Sequence, residues 1–236
     1  MSRRKERKKA ASLRHPIWDT YLAPGISQIE QQQLKSVPRN IWPDPLQFVI
    51  TSILLPQISL TTRVRTFNFI RRSRIVLDEY QLARRSYRKF FIDRDPAHYL
   101  AALHHFEVCI SSAHQGHEAL FGIGGSDFRN AKAQGRGELN WRMNRIYVSS
   151  KHAADFVRRA SFKGDVLTVW ISSRGIETQH EHMTFSELYD ILIDMCLTAS
   201  IMAKSYIWRR KPVPPFWLKS SQRKAYRERG RTELEI

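Results

Sequence analysis

The chain has 236 residues, 42% of them hydrophobic and 11% aromatic, enough to bury a core and to exclude wholesale disorder. Its 39 Lys and Arg against 22 Asp and Glu leave a formal charge of +17, which points to nucleic acid or another anionic partner. Two cysteines, Cys109 and Cys196, are too few to staple a secreted scaffold and lack metal-pair spacing, and with no apolar run of about 18 residues and a charged rather than apolar start, a cytoplasmic protein with no membrane contact is expected.

Residues 1–15 carry seven basic side chains and one acidic, a net +6, and form a basic tail. Residues 16–60 hold Pro16, Pro24, Pro38, Pro43, Pro45 and Pro56. Long helices do not persist through that spacing, so this arm is predicted as extended segments and short helices. Trp18, Tyr21, Trp42, Phe48 and Leu54 give it apolar anchors on the body. A long helix over about 61–92 follows, amphipathic, with a wet face made basic by Arg71, Arg72, Arg74, Arg84, Arg85, Arg88 and Lys89. Asp95-Pro96 opens a second, since Asp caps well and Pro suits the first helical position. It runs through Tyr99, Phe106 and Ile110 to the glycines Gly122, Gly124 and Gly125. A third helix is predicted from 138 to about 160. Residues 166–171 form a strand, 172–175 a turn and 176–179 the returning strand of a small hairpin. Thr184-x-x-Glu187 is a capping-box pattern before an apolar-rich helix over 185–208, which Pro212, Pro214 and Pro215 terminate. Residues 209–236 carry nine basic side chains and three acidic, again a net +6, so the stretch 16–208 carries only +5.

The expected fold is mainly α: an up-and-down helical bundle over 61–208 with a small β-hairpin insertion, a Pro-rich N-terminal arm over 16–60 packed on it, and basic ends at 1–15 and 209–236. The two ends suit sequence-independent contact with a polyanion, or simply keep the chain solvated.

The informative segment is the third helix. Arg145 and His152 stand seven positions apart, two helical turns, so both project from one face. Arg142, Asn144 and Lys151 lie beside them as candidate substrate-binding groups, and Tyr147, Val148, Phe156 and Val157 can form an apolar stripe. A histidine titrates near neutrality and can move a proton at a ribose 2′-hydroxyl or a leaving oxygen. An arginine can hold the phosphate and offset charge developing on it. One pair supplies half of an acid–base couple, and a symmetric dimer would bring two pairs together.

Arg145-Ile146-Tyr147-Val148-Ser149-Ser150-Lys151-His152 resembles the motif of the HEPN superfamily, an Arg and a His separated by four to six residues. It is also similar to an R-x-Y-N-x-S/I-K-H stretch of bacterial HEPN-like proteins, departing from it at Val148. The resemblance covers about 61–208. It implies a helical bundle that dimerises by pairing its motif helices and, for catalytic members, metal-independent cleavage of single-stranded RNA in toxin or defence systems. Arg145 and His152 then become the catalytic residues. The competing expectation is a non-catalytic helical interaction protein: Arg145 bridges to a neighbouring helix, His152 is packing, and the basic ends bind nucleic acid or an acidic protein partner.

Other motifs carry less. His114 and His117 are three apart and can share a helix face, but His114-Gln115-Gly116-His117-Glu118 lacks the order that sets a general base beside zinc. No metal and no cofactor is expected. Periodicity leaves open whether His114 or His117 faces the third helix. Gly122-Ile123-Gly124-Gly125 follows a helix rather than a strand and has no Gly-Lys after it, so it is not a phosphate loop.

Overall fold

The computed structural model describes residues 16–53, 58–123, 138–153 and 167–204. Within them the chain is mainly helical, as expected, and the helices pack in an up-and-down bundle with one small sheet.

The arm opens with the short helix α1, Pro16–Tyr21. The Asp19 carboxylate accepts from the backbone N–H (3.0 Å) and hydroxyl (2.6 Å) of Ser27, closing a turn around Gly25. Two single 3₁₀ turns, Ile26–Gln28 and Arg39–Ile41, punctuate an otherwise extended run, and α2, Pro45–Ile53, ends it. Prolines are tolerated at such element starts, where no N–H is needed. Ile26, Ile29, Leu34, Val37, Ile41 and Phe48 are buried. Extended backbone that packs on helices needs partners for its polar groups, and side chains of the bundle supply them. Tyr80 donates to the Lys35 carbonyl at 3.1 Å, Arg84 Nε to the Leu34 carbonyl at 3.2 Å and Ser200 to the Ile41 carbonyl at 2.9 Å. Tyr87 accepts from the Gln32 N–H at 3.1 Å. Of the expected anchors, Phe48 is buried and Trp18 and Trp42 are half-buried on the core; Leu54 and the Tyr21 side chain lie outside the described residues.

Helix α3, Leu60–Asp93, starts at Ser59, whose hydroxyl accepts from the Thr62 N–H. It stops at Arg94, held left-handed at φ 55°. One residue later Asp95 accepts from the Ala97 N–H at 2.9 Å and opens α4, Pro96–Ile123. A link this short turns the chain back on itself, so α3 and α4 run antiparallel over their whole length. The Arg65 guanidinium donates to the Gly122 carbonyl and ties the start of one to the end of the other. Helix α5, Leu139–Lys151, packs on α4 through the buried Met143 and Ile146. Helix α6, Phe185–Met202, packs chiefly on α3. At Gly116 the helices are so close that a Cβ would stand 2.6 Å from Met195 Cε of α6.

The expected capping box is present: Thr184 Oγ1 accepts from the Glu187 N–H while Glu187 accepts from the Thr184 N–H. Helix α6 closes at Met202, earlier than expected, with Ala203 and Lys204 already in a turn; 205–208 lie outside the described residues. Helix α5 has His152 as its C-cap, and 154–160 likewise lie outside. The hairpin strands are short, β1 Trp170–Ile171 and β2 Ile176–Glu177, and 167–169 precede the strand rather than belong to it.

A third strand, β3 His182–Met183, was not expected. The Thr178 hydroxyl accepts from the backbone N–H groups of His180 and Glu181, folding the segment back so that β3 pairs antiparallel with β2. Both Cys109 and Cys196 are free and buried, and burial pushes the Cys196 thiol up to about 12. No helix among the described residues is long and apolar enough to cross a membrane.

Candidate nucleic-acid site on the motif helix

Helix α5 is held along one side and open along the other. Met143 and Ile146, three apart, are buried, while Arg145, Lys151 and His152 are exposed. At 100° per residue, Arg145 and His152 differ in direction by only about 20°, and they stand about 10 Å apart along the axis. Trp141 shares their face, and the Arg145 guanidinium lies over its ring, 5.8 Å from the centroid. Arg145 makes no ion pair among the described residues. The expected alternative, a salt bridge from Arg145 to a neighbouring helix, is therefore not formed there. His152 sits where α5 ends, its backbone N–H donating to the Val148 carbonyl at 2.9 Å. Its ring is thus carried on the last turn of a helix rather than on a loop.

Arg142 and Asn144 point elsewhere. Arg142 donates to both Glu187 oxygens, at 2.5 and 3.2 Å, and to the His182 carbonyl at 3.0 Å. It joins α5 to β3 and to the capping box of α6. Burial acts to raise the Glu187 carboxyl, but Arg142 and the Thr184 N–H and hydroxyl outweigh it and hold that carboxyl down at about 2. Asn144 Oδ1 lies 3.0 Å from His114 Nε2 of α4. The His114 ring stacks on Tyr147, centroids 4.2 Å apart and planes 22° apart. His114, 2% exposed, thus turns to the motif helix. Lys151 places its ammonium 5.6 Å from the other side chain in this stack, Tyr147.

One turn further along the same seam, Ser150 donates to Glu107 at 2.8 Å. Burial pushes the Glu107 carboxyl up, against the opposing pull of Ser150 and His104. Glu107, Ser111, His114 and Glu118 lie at spacings of four, three and four along α4 and form a polar stripe on one side of it. That spacing was the available signal for the Glu107–Ser150 contact, which motif reading overlooked. Elsewhere on the body, His105 pairs with Glu79 at 2.7 Å and His98 with Asp93 at 3.1 Å. Among the described residues no three of His, Cys, Asp and Glu gather into a metal-holding group. A cleft of about 270 Å³ lies between the arm and α6, lined by Leu34, Lys35, Arg174, Phe185 and Tyr189, and none of the motif residues lines it.

The chain matches no protein-family model, no curated protein and no solved structure.

Proposed function

We propose that the chain is a cytoplasmic HEPN-like protein, its helical domain spanning 61–208, that cleaves RNA without a metal at the Arg145–His152 face. The observation that carries this reading is the joint exposure of Arg145 and His152 on one face of α5, with Arg145 in no ion pair among the described residues. A side chain placed for packing or for bridging helices would be turned inward, as Arg142 is.

The chemistry follows from the two groups. One imidazole takes the proton from a ribose 2′-hydroxyl, and the freed oxygen attacks the adjacent phosphorus. The bond from phosphorus to the 5′-oxygen breaks, and that oxygen takes a proton from a second imidazole. Arg145 holds the non-bridging oxygens, whose charge grows in the transition state. His152 of one protomer serves as base and His152 of the partner subunit as acid, so a homodimer that apposes two α5 helices completes the site. The proposed role is that of a toxin or defence component.

This mechanism leaves a 2′,3′-cyclic phosphate on one fragment and a free 5′-hydroxyl on the other. The test is to incubate the protein with labelled single-stranded RNA and characterise the ends. Cyclic phosphate ends, with resistance of the same strand carrying 2′-O-methyl groups, are expected. Cleavage of the 2′-O-methyl strand, or 5′-phosphate ends, would sink the proposal. Tight binding without cleavage of any RNA would instead favour the interaction protein, acting through its basic ends.

A further inference from the structure

Helix α2 is amphipathic in the inverted sense. A surface helix ordinarily turns its apolar stripe to the core and its polar residues to water. On α2 the buried residues are Phe48, Thr51 and Ser52, two of them polar, while Leu46, Val49, Ile50 and Ile53 stand in solvent at 39–72% exposure. Those four hold positions i, i+3, i+4 and i+7, an arc of about 100° on one side of the helix. The helix is fixed in that attitude. Asp44 accepts from the Leu46 and Gln47 N–H groups at 2.9 and 3.3 Å and caps it. The Ser52 hydroxyl donates to the Val49 carbonyl of its own helix at 2.9 Å, so its burial asks nothing of the core beneath.

We propose that this outward stripe is an interface with a second copy of the chain, in which two α2 helices pair antiparallel about a two-fold axis. The proposal does not rest on the nuclease reading: α2 packs on α3, whereas α5, which carries Arg145 and His152, packs on α4.

Area and charge select that occupant. Trp42, just before α2, stacks on the Arg74 guanidinium of α3, 5.2 Å from its centroid, and six residues join Ile53 to Leu60. Helix α2 therefore runs back along the opening turns of α3, where Leu60 and Val64, 74% and 50% exposed, widen the stripe. Burying one aliphatic side chain removes on the order of 100 Å² of apolar surface, so the exposed fractions of these six amount to roughly 370 Å². One side of a standard interface buries about 800 Å², of which roughly 460 Å² is apolar. The stripe thus supplies most of what one side of a stable dimer needs. Residues 40–62 hold a single charged side chain, Asp44, in a chain of which 26% is charged. Depletion of charge marks the core of a protein interface, and it lets two copies of +17 meet without setting like charges face to face. An acidic partner finds no cation on this helix. Helices that lie on lipid carry Lys and Arg on one face and Trp, Phe or Leu on the other; α2 has no Lys, Arg or Trp, and its one Phe is buried. Two-fold pairing sets Ile50 beside the axis and Leu46 against Ile53 of the partner subunit.

The test is analytical ultracentrifugation of the full chain, freed of nucleic acid and held at high salt. Wild type is expected to self-associate, with a Tm that rises with protein concentration. Ile50→Lys changes an exposed side chain, and circular dichroism establishes that the variant folds. It should halve the associated mass, from dimer to monomer, or from tetramer to dimer where α5 helices pair as well. A second variant reads the geometry. Cys109 and Cys196 are buried, so Ile50→Cys adds the reactive thiol. Near the axis two such thiols come within disulfide reach, and mild oxidation should link the copies far faster than in Ile92→Cys, whose exposed position lies at the opposite end of α3. A monomeric wild type, or equal linking by the two cysteine variants, would overturn the proposal. Association that Ile50→Lys leaves intact belongs to another surface; it overturns the α2 contact and leaves the nuclease reading standing. A monomer that sediments with phosphatidylserine vesicles, and fails to do so as Ile50→Lys, gives the stripe to a lipid surface and overturns the proposal as well.

Discussion

At the scale of single residues, the molecule separates side chains that hold it together from side chains that it leaves available. Arg142 and Arg145 are three apart on one helix, yet Arg142 is spent on Glu187 and the His182 carbonyl while Arg145 lies over Trp141 in solvent. The Glu187 pair has a pH signature. Its carboxyl is held at about 2, below the ordinary range of a glutamate, so its stabilisation is complete above that range. It is lost as pH falls from about 5 through about 2. Allowing for solvent screening, the loss is ~1 kcal/mol. Glu187→Gln keeps a side chain able to complete the capping box and should flatten that part of the stability profile in urea titrations; an unchanged acid limb would contradict the assignment. Tyr99 offers a second test. Its buried hydroxyl accepts from the Ile171 N–H at 2.8 Å and donates to the Ile171 carbonyl at 3.0 Å. Tyr99→Phe leaves both backbone groups of the β1 edge without that partner and should cost about 2 kcal/mol in equilibrium unfolding.

At the scale of elements, long helices announce themselves and short strands do not. The 61–92 and Asp95-Pro96 predictions match α3 and α4 because more than seven turns of apolar periodicity, a cap and a helix-starting proline all agree. Strand β3 escaped because two residues, His182 and Met183, contain no alternation to read. What brings it back is the Thr178 hydroxyl and the tight approach at Gly175, both tertiary facts. Gly175 has φ 143°, and a Cβ there would stand 2.2 Å from the Met183 carbonyl oxygen. Gly175→Ala should therefore cost at least ~2 kcal/mol and uncouple the sheet from α4, read as a lowered Tm with lost dispersion of the Ile171 and Ile176 signals in NMR spectra. A melt within about 1 °C of wild type would contradict this, since ~1 kcal/mol moves a chain of this size by ~2–4 °C.

On the whole-molecule scale, the fold class and the Arg145–His152 face were legible, whereas the neighbours of that face were not. Helical period places two side chains on one face but does not say which helix lies against the opposite one. That Tyr147 meets His114 rather than serving simply as apolar stripe, and that Asn144 turns inward, follows from how α4 and α5 cross. The arm shows the same division: prolines predict its extended course, but the tyrosines of α3 that pair with its backbone, Tyr87 with the Gln32 N–H and Tyr80 with the Lys35 carbonyl, are fixed only by docking. The charge of +17 names a class of partner and no reaction. The proposed reaction rests on one face of one helix, and one assay addresses it: cleavage of single-stranded RNA in excess EDTA by wild type, Arg145→Ala and His152→Ala. Both side chains are exposed, so the variants should fold with stability within about 0.5 kcal/mol of wild type. Wild type should cleave, and His152→Ala should be slower by ~10²–10⁴-fold, with Arg145→Ala also impaired. Equal rates in all three proteins, or cleavage abolished in wild type by EDTA, would contradict the account.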